Sequence, residues 1–383
     1  MMLGEGCQAY DDDKNDRGSA MKITDIRALQ LRRPLDRPQR DARGSRHERR
    51  FTFVLVETDA GLTGLGEACG DDAFMEAIIE RRLRPMAIGL DPLDVETLWS
   101  KLYASRAFWE MSGSYVCGVS AIEVACWDIR GQAEGVPVYE LLGGLERDRV
   151  EAYASDLHWD EPGHMADLAR RYVEAGFRFV KTHIGAERDG DLVRLEAMRE
   201  AIGPDIGLLI DVNTAFDRDT ALERGPDYAA FDPLWYEEPL PPYDHQGSAW
   251  LRHQLPMHIA GGENLYTTHG FEPLLARQAC DFITPDILRC GGIRQTQLIC
   301  EAAEWYGISV SPHSYCSGVG LAATLHLMAA LPQTLLLEFD PTGTAIYEEL
   351  FVHPLVVRDG HVEVPTAAGL GVRLTDDIIA RYR

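Results

Sequence analysis

The sequence predicts an α/β protein, a modified (β/α)8 barrel of the TIM type, with an α+β capping domain formed by the N-terminal part and the C-terminal tail. Three observations carry this. Apolar runs alternate with helix-period patterns over residues 150–338 and number eight, the count that closes a barrel. Before residue 150 the order differs, strands first and helices after, as in a separate small domain. Asp211, Glu237 and Glu263 each stand directly after an apolar run, about 26 residues apart, the length of one strand, one helix and two loops.

The bulk properties bound the answer. A chain of 383 residues has room for a barrel with an accessory domain. Its 45% hydrophobic content is that of a globular protein, and no apolar run approaches the roughly 20 residues that span a bilayer, so no membrane partner is expected. A formal net charge of -24 argues against nucleic acid, which needs concentrated Lys and Arg, and leaves small anions only where cations gather locally. The eight cysteines lie mostly in apolar segments and form no C-x-x-C pair. They read as core residues in a reducing compartment, here the cytoplasm, and not as a disulfide framework or zinc site. Residues 1–20 carry an acidic run, Asp11 to Asp13, and no long apolar core; they read as a leader or a misplaced start ahead of Met21.

Taken in order, residues 21–31 read as a strand and 51–67 as a hairpin turning at Asp59, Ala60 and Gly61. Residues 32–50 between them, rich in arginine, are too polar for core. They are either a solvated loop or a lid that brings cations to an acidic substrate. Residues 73–104 are helical with a break near Gly89 and Pro92, and 118–131 are helical with Val119, Ile122, Cys126 and Ile129 on one buried face. The capping domain is expected over 21–145 and the barrel over 146–345. The barrel strands fall at 150–154, 179–184, 207–212, 234–236, 258–261, 282–284, 308–311 and 334–338. Gly225 and Pro226 interrupt the helix after Asp211 and predict a kink or two short pieces. The tail, 346–383, is expected to return to the cap.

Polar residues at the C-terminal ends of barrel strands mark the active face. Here they are Lys181 and His183, Asp211 and Asn213, then Glu237, Glu263, Asp286, His313 and Glu338. If their strands are neighbours, Asp211, Glu237 and Glu263 surround one point with more negative charge than can be left alone, and a divalent cation suits it. Alternation lets only one of Glu237 and Glu238 face that point, and Glu237 is favoured because Pro239 should turn the chain away after Glu238. Asp286 and His313 end successive strands, so the carboxylate can fix the imidazole tautomer and make the other nitrogen a better base. Glu338 could donate to or polarise a substrate carboxylate. Lys181 and His183, two apart on a strand, point the same way. Weaker substrate-binding candidates are Asn213, Arg289, His47, Arg49, Tyr103, Arg106 and Trp109.

These segments together, Val180-Lys181-Thr182-His183, Asp211-Val212-Asn213, Trp235-Tyr236-Glu237-Glu238-Pro239, Gly262-Glu263-Asn264, Pro285-Asp286, Arg289, Gly291-Gly292, His313 and Glu338, resemble the mandelate racemase subgroup of the enolase superfamily. The likeness runs over about residues 21–375, with Trp127-Asp128-Ile129, Leu141-Leu142-Gly143-Gly144 and Gly369-Leu370-Gly371 included. It implies Mg²⁺ on Asp211, Glu237 and Glu263, removal of a proton next to a substrate carboxylate, and a homo-oligomer. All-oxygen ligands also suit Mg²⁺ better than zinc on chemical grounds. The family most often has lysine where His183 stands, so acid, base and substrate ligand all remain open for that residue. The expected reaction is dehydration of an aldonate or aldarate to a 2-keto-3-deoxy acid, with His183 or His313 removing the proton and His313 protonating the departing hydroxyl. The rivals are a racemase, epimerase or lactone cycloisomerase, and a non-catalytic sugar-acid binding protein.

Overall fold

The computed structural model describes residues 21–70, 72–104, 110–344 and 346–383; the leader expected over 1–20, together with Arg106 and Trp109, lies outside them. The chain opens with an antiparallel sheet of β1 (Ile23–Asp41), β2 (Gly44–Thr58) and β3 (Thr63–Ala68). Residues 32–50 are therefore no loop. They extend β1 and β2 into a two-stranded ribbon, paired from Leu31 opposite Phe51 out to Asp41 opposite Gly44. Local polarity suggested a loop, yet a ribbon needs only that its two backbones satisfy each other. The register slips between Pro34 and Gln39, so Pro38 falls where no ladder N–H is required.

The cap continues with α1 (Asp72–Ile78), a π-helical turn (Ile79–Leu83), α2 (Arg84–Ala87), α3 (Val95–Ala104), α4 (Ser114–Glu134) and α5 (Val138–Leu141). Helix α4 lies on β3, and its backbone passes so close that a Cβ at Gly64 or Gly66 would collide with the carbonyls of Ala125 or Ala121. Glycine at these two places sets the depth at which α4 packs.

The barrel alternates β4 (Arg149–Leu157), α6 (Pro162–Glu174), β5 (Phe179–His183), α7 (Arg188–Ile202), β6 (Gly207–Asp211), α8 (Arg218–Ala229), β7 (Pro233–Glu237), α9 (His245–Gln254), β8 (His258–Gly261), α10 (Thr267–Ala276), β9 (Phe282–Ile283), α11 (Ile293–Tyr306), β10 (Ser309–Val310), α12 (Gly318–Ala330) and β11 (Leu337–Phe339). Strands β4 to β10 pair in sequence order, all parallel, and β11 returns to β4; a bridge from Val310 to Thr334 completes the ring. Tyr153, Leu209, Trp235, Ala260 and Leu336 fill its interior. Above that apolar layer lie the polar strand ends. Helix α8 is continuous with Pro226 inside it, so the alternative of two short pieces is not what forms. Pro226 stands in the last turn, where little more than the hydrogen bond to Leu222 is forfeited.

After α13 (Tyr347–Leu350), the tail first joins the barrel. The hairpin of β12 (Val357–Arg358) and β13 (His361–Glu363) adds antiparallel to the start of β4. It then reaches the cap, where the Leu370 amide donates to Asp128 of α4 and Gly369 bridges Pro137. Helix α14 (Asp376–Tyr382) ends it, with Arg33 of β1 donating to the Tyr382 hydroxyl. Among the described residues no helix is long and apolar enough to cross a membrane.

Candidate active site

The parallel register sets His183, Asp211 and Glu237 side by side at the ends of β5, β6 and β7, and Glu263 follows two residues after β8. Ligand oxygens of Asp211, Glu237 and Glu263 all lie within 4.8 Å of one another, and all three residues are buried. Glu237 Oε1 has no hydrogen-bond partner among the described residues, while Oε2 accepts from Trp235 Nε1 at 3.0 Å. Burial, reinforced by Asp211, Glu338 and Glu263 against the pull of Lys181, pushes Glu237 up to about 8. Three buried carboxylates with an unused oxygen fit a small, hard divalent cation such as Mg²⁺, and the all-oxygen set that the described residues offer disfavours zinc.

Lys181 is fully buried and pairs with Glu338 at 2.8 Å, Glu237 at 3.2 Å and Asp211 at 3.6 Å. Burial disfavours its charge, but those carboxylates outweigh it and hold the ammonium well above its usual range. Glu338 also accepts from Ser155 Oγ at 2.6 Å and from the Ser314 amide at 2.9 Å. Burial raises this carboxyl, yet Lys181 and His313 bring it down to about 2. Both Glu338 oxygens are thus engaged, by Lys181 and Ser155 on one side and the Ser314 amide on the other.

On the far side of the acids, His313 Nδ1 meets Asp286 Oδ2 at 2.7 Å, and its Nε2 lies 3.3 Å from Glu263 and 3.7 Å from Glu338. Burial works against the imidazolium, but Glu263, Glu338 and Asp286 raise His313 to about 9. His183 moves the opposite way. Burial lowers it, with Lys181 adding to the effect and Asp211, 3.7 Å from Nε2, opposing. Its Nδ1 has no partner among the described residues.

The remaining candidates divide. Asn213, at φ +50, donates to Asp211 through both its amide and its side chain, and its Oδ1 has no partner among the described residues. Arg289 joins Asp286 and Glu263, each at 3.2 Å. His47 and Arg49 line a cavity of about 660 Å³ between the ribbon and the barrel mouth, together with Arg289, Asp286 and His313. Arg49 is committed to Asp340 at 3.0 Å and stacks on Tyr315. Tyr103 does not line that cavity; it packs on Trp99 inside the cap.

The choice of Glu237 over Glu238 holds in the carboxylate cluster, but Glu238 stays buried close by. At φ +37 the backbone leaves strand geometry, and the buried carboxylate accepts from Asn264 Nδ2 at 2.7 Å and feels Glu263, Asp211 and Glu237. Alternation holds only while the strand lasts. Also missed were Arg43 at the ribbon tip, 4.0 Å from Glu263, and His158, stacked on His183. The arginine-rich ribbon was a signal for the first; nothing in the sequence marked the second.

Both parts of the chain match known proteins. The profile of the mandelate racemase / muconate lactonizing enzyme N-terminal domain matches residues 23–143, and one described as enolase C-terminal domain-like matches 164–378. A D-galactarolactone cycloisomerase of Agrobacterium fabrum is 33% identical over 95% of this chain and 99% of its own length. A D-xylonate dehydratase of Haloferax volcanii is 32% identical over 87% of this chain and 85% of its own. A racemase from Streptomyces coelicolor A3(2), solved with bound magnesium, superposes with a TM-score of 0.86 at 26% identity, covering 94% of this chain and 99% of that one. With matches to both domains and relatives of this similarity along nearly its whole length, the chain belongs to the mandelate racemase / muconate lactonizing enzyme family of enolase-like enzymes.

Proposed function

We propose that the protein is a Mg²⁺-dependent dehydratase of acid sugars, converting an aldonate or aldarate to a 2-keto-3-deoxy acid. The observation that carries this reading is the placement of buried imidazoles on both sides of the three-carboxylate cluster, one of them tied to Asp286. Asp211, Glu237 and Glu263 would hold the ion. Bound there, Mg²⁺ supplies positive charge to the substrate carboxylate and to the oxygen that becomes negative as the α-proton leaves.

The chain's own groups do the rest. His183, whose Nδ1 is unengaged among the described residues, takes the proton from the carbon next to the carboxylate. His313, oriented through Nδ1 by Asp286, gives a proton from Nε2 to the hydroxyl on the next carbon, which departs as water. The enol that remains tautomerises to the 2-keto acid. Lys181 stays a fixed cation beside the substrate carboxylate, braced by Glu338. The cavity under the ribbon receives the polyol chain, and the free, mostly buried cysteines support a reducing, cytoplasmic setting.

The test is a panel of aldonates and aldarates with Mg²⁺ in D₂O, followed by mass spectrometry. The expected product has lost one water, carries one carbon-bound deuterium taken up as the enol tautomerises, and reacts as a 2-keto acid; chelation stops turnover and Mg²⁺ restores it. A metal-loaded enzyme that leaves the whole panel untouched sinks the reading. Cycloisomerisation is the second reading, favoured by the cycloisomerase relative. There the departing oxygen belongs to a ring, so no water is lost and the product differs from substrate only by the deuterium it takes up.

A further inference from the structure

His183 does not stand alone. The ring of His158, from the segment just after β4, lies on it with centroids 4.5 Å apart and planes 7° from parallel. Both rings are buried. His158 Nε2 meets the Tyr315 hydroxyl at 3.2 Å, and that hydroxyl accepts from Gln39 Nε2 at 2.7 Å. Gln39 belongs to the ribbon and also donates to Asp156 at 3.0 Å. The next residue, Trp159, donates through Nε1 to the His183 carbonyl at 2.8 Å, so one short segment grips both the backbone and the ring of His183.

We propose that His158 is a positioning residue that fixes the plane of the His183 imidazole, and that Tyr315 and Gln39 hold His158 in place. The inference rests on the reading of His183 as the group that removes the α-proton. A histidine side chain has only two torsions, and one of them turns the ring. With no partner on Nδ1 among the described residues and a distant one on Nε2, hydrogen bonds leave that torsion loosely set; a flat neighbour at stacking distance sets it. The chain Gln39, Tyr315, His158, His183 also links the cap ribbon to the proposed base. Tyr315 is two residues from His313, so one loop orients the groups on both sides of the cluster.

His158→Ala removes the neighbour, and His158→Phe keeps a flat ring while losing the hydrogen bond, for which Gln39 still serves Tyr315. On whichever acid sugar of the panel is turned over fastest, kcat should fall on the order of tenfold to a hundredfold in H158A with KM within about twofold, and return to within about threefold in H158F. In a His183→Asn background, H158A should change the residual rate by less than about twofold, because a positioning residue acts only through the group it positions. An equal loss in both backgrounds overturns the proposal, as does wild-type kcat in H158A. Crystal structures supply a readout independent of activity: the His183 ring should rotate in H158A and stay in plane in H158F. Should the panel be turned over with H183N as active as wild type, the base assignment fails and this proposal with it. Should the panel be untouched, the functional reading fails, while the ring orientation in H158A still decides whether His158 positions His183.

Discussion

Asp286 gives His313 a fixed tautomer as well as a charge, so its removal tests the proposed acid more cleanly than removal of the imidazole. Asp286→Asn preserves shape but removes the negative charge that helps hold His313 as an imidazolium, leaving a neutral ring whose Nε2–H is a far weaker acid. We expect kcat to fall on the order of a hundredfold or more with an unchanged melting temperature; steady-state kinetics beside thermal unfolding check this. A second histidine is informative for the opposite reason. His326 of α12 is buried away from the site, its Nε2 3.2 Å from the Leu370 carbonyl, and burial lowers it from 6.5 to about 4 despite that carbonyl. A depressed imidazole contributes stability in full above pH 6.5 and loses it as pH falls through 4. From the two values the loss should reach roughly 2 kcal/mol by pH 5. His326→Gln keeps a donor near Leu370 and should flatten this part of the acid limb in urea unfolding at pH 5 against pH 7.5; an unaltered slope refutes it. At this scale the sequence was legible where strand periodicity fixes direction, as for Lys181, His183 and the acids. It was silent on the burial of Glu238 beside the cluster, where one positive φ ends alternation, and on His158, whose meaning comes from a neighbour 25 positions away.

Elements were legible by period more than by polarity. All eight barrel strands lie where apolar runs stand, because a parallel strand covered on both faces must be apolar. The ribbon of β1 and β2 escaped, because two strands that extend past the sheet need no apolar face, only each other. Its tip is where the lid expectation gains content. Arg43, about half exposed, stands 3.6 Å from Asp41 and 4.0 Å from Glu263, and Arg46 also pairs with Asp41. Two guanidiniums against one aspartate leave a net positive tip over an acidic mouth in a chain of net charge -24. Arg43→Met should raise KM for an acid sugar several-fold and alter kcat by less than about twofold, since the tip attracts and holds the anion without touching the reacting carbons. The KM effect should shrink as salt is raised; a change confined to kcat would refute the assignment.

The cap is fastened to the barrel by carboxylates placed at the starts of barrel helices. Glu67 of β3, buried, accepts from the Ser317 amide at 3.0 Å, the Ser317 hydroxyl at 2.6 Å and the Gly320 amide at 3.1 Å, which are donors of the first turn of α12. Glu123 of α4 does the same for α11, accepting from Ile293 at 2.8 Å and Arg294 at 2.9 Å as well as from Trp127 Nε1 at 2.8 Å. The first amides of a helix have no partner within it, so each glutamate satisfies donors that burial between two domains would otherwise leave unpaired. No sequence pattern announces this, because each acid lies roughly 170 to 250 positions from its helix, far beyond the reach of a local capping signature. Glu67→Ala and Glu123→Ala each strand three buried donors, whatever the protonation state of the carboxyl. We expect each to destabilise the protein by about 2–4 kcal/mol. Because the two sites fasten different helices, the double variant should lose close to the sum. Thermal unfolding monitored by circular dichroism checks both statements. Should either single variant melt within half a degree of wild type, roughly, the amides have found water and the glutamate is no fastening.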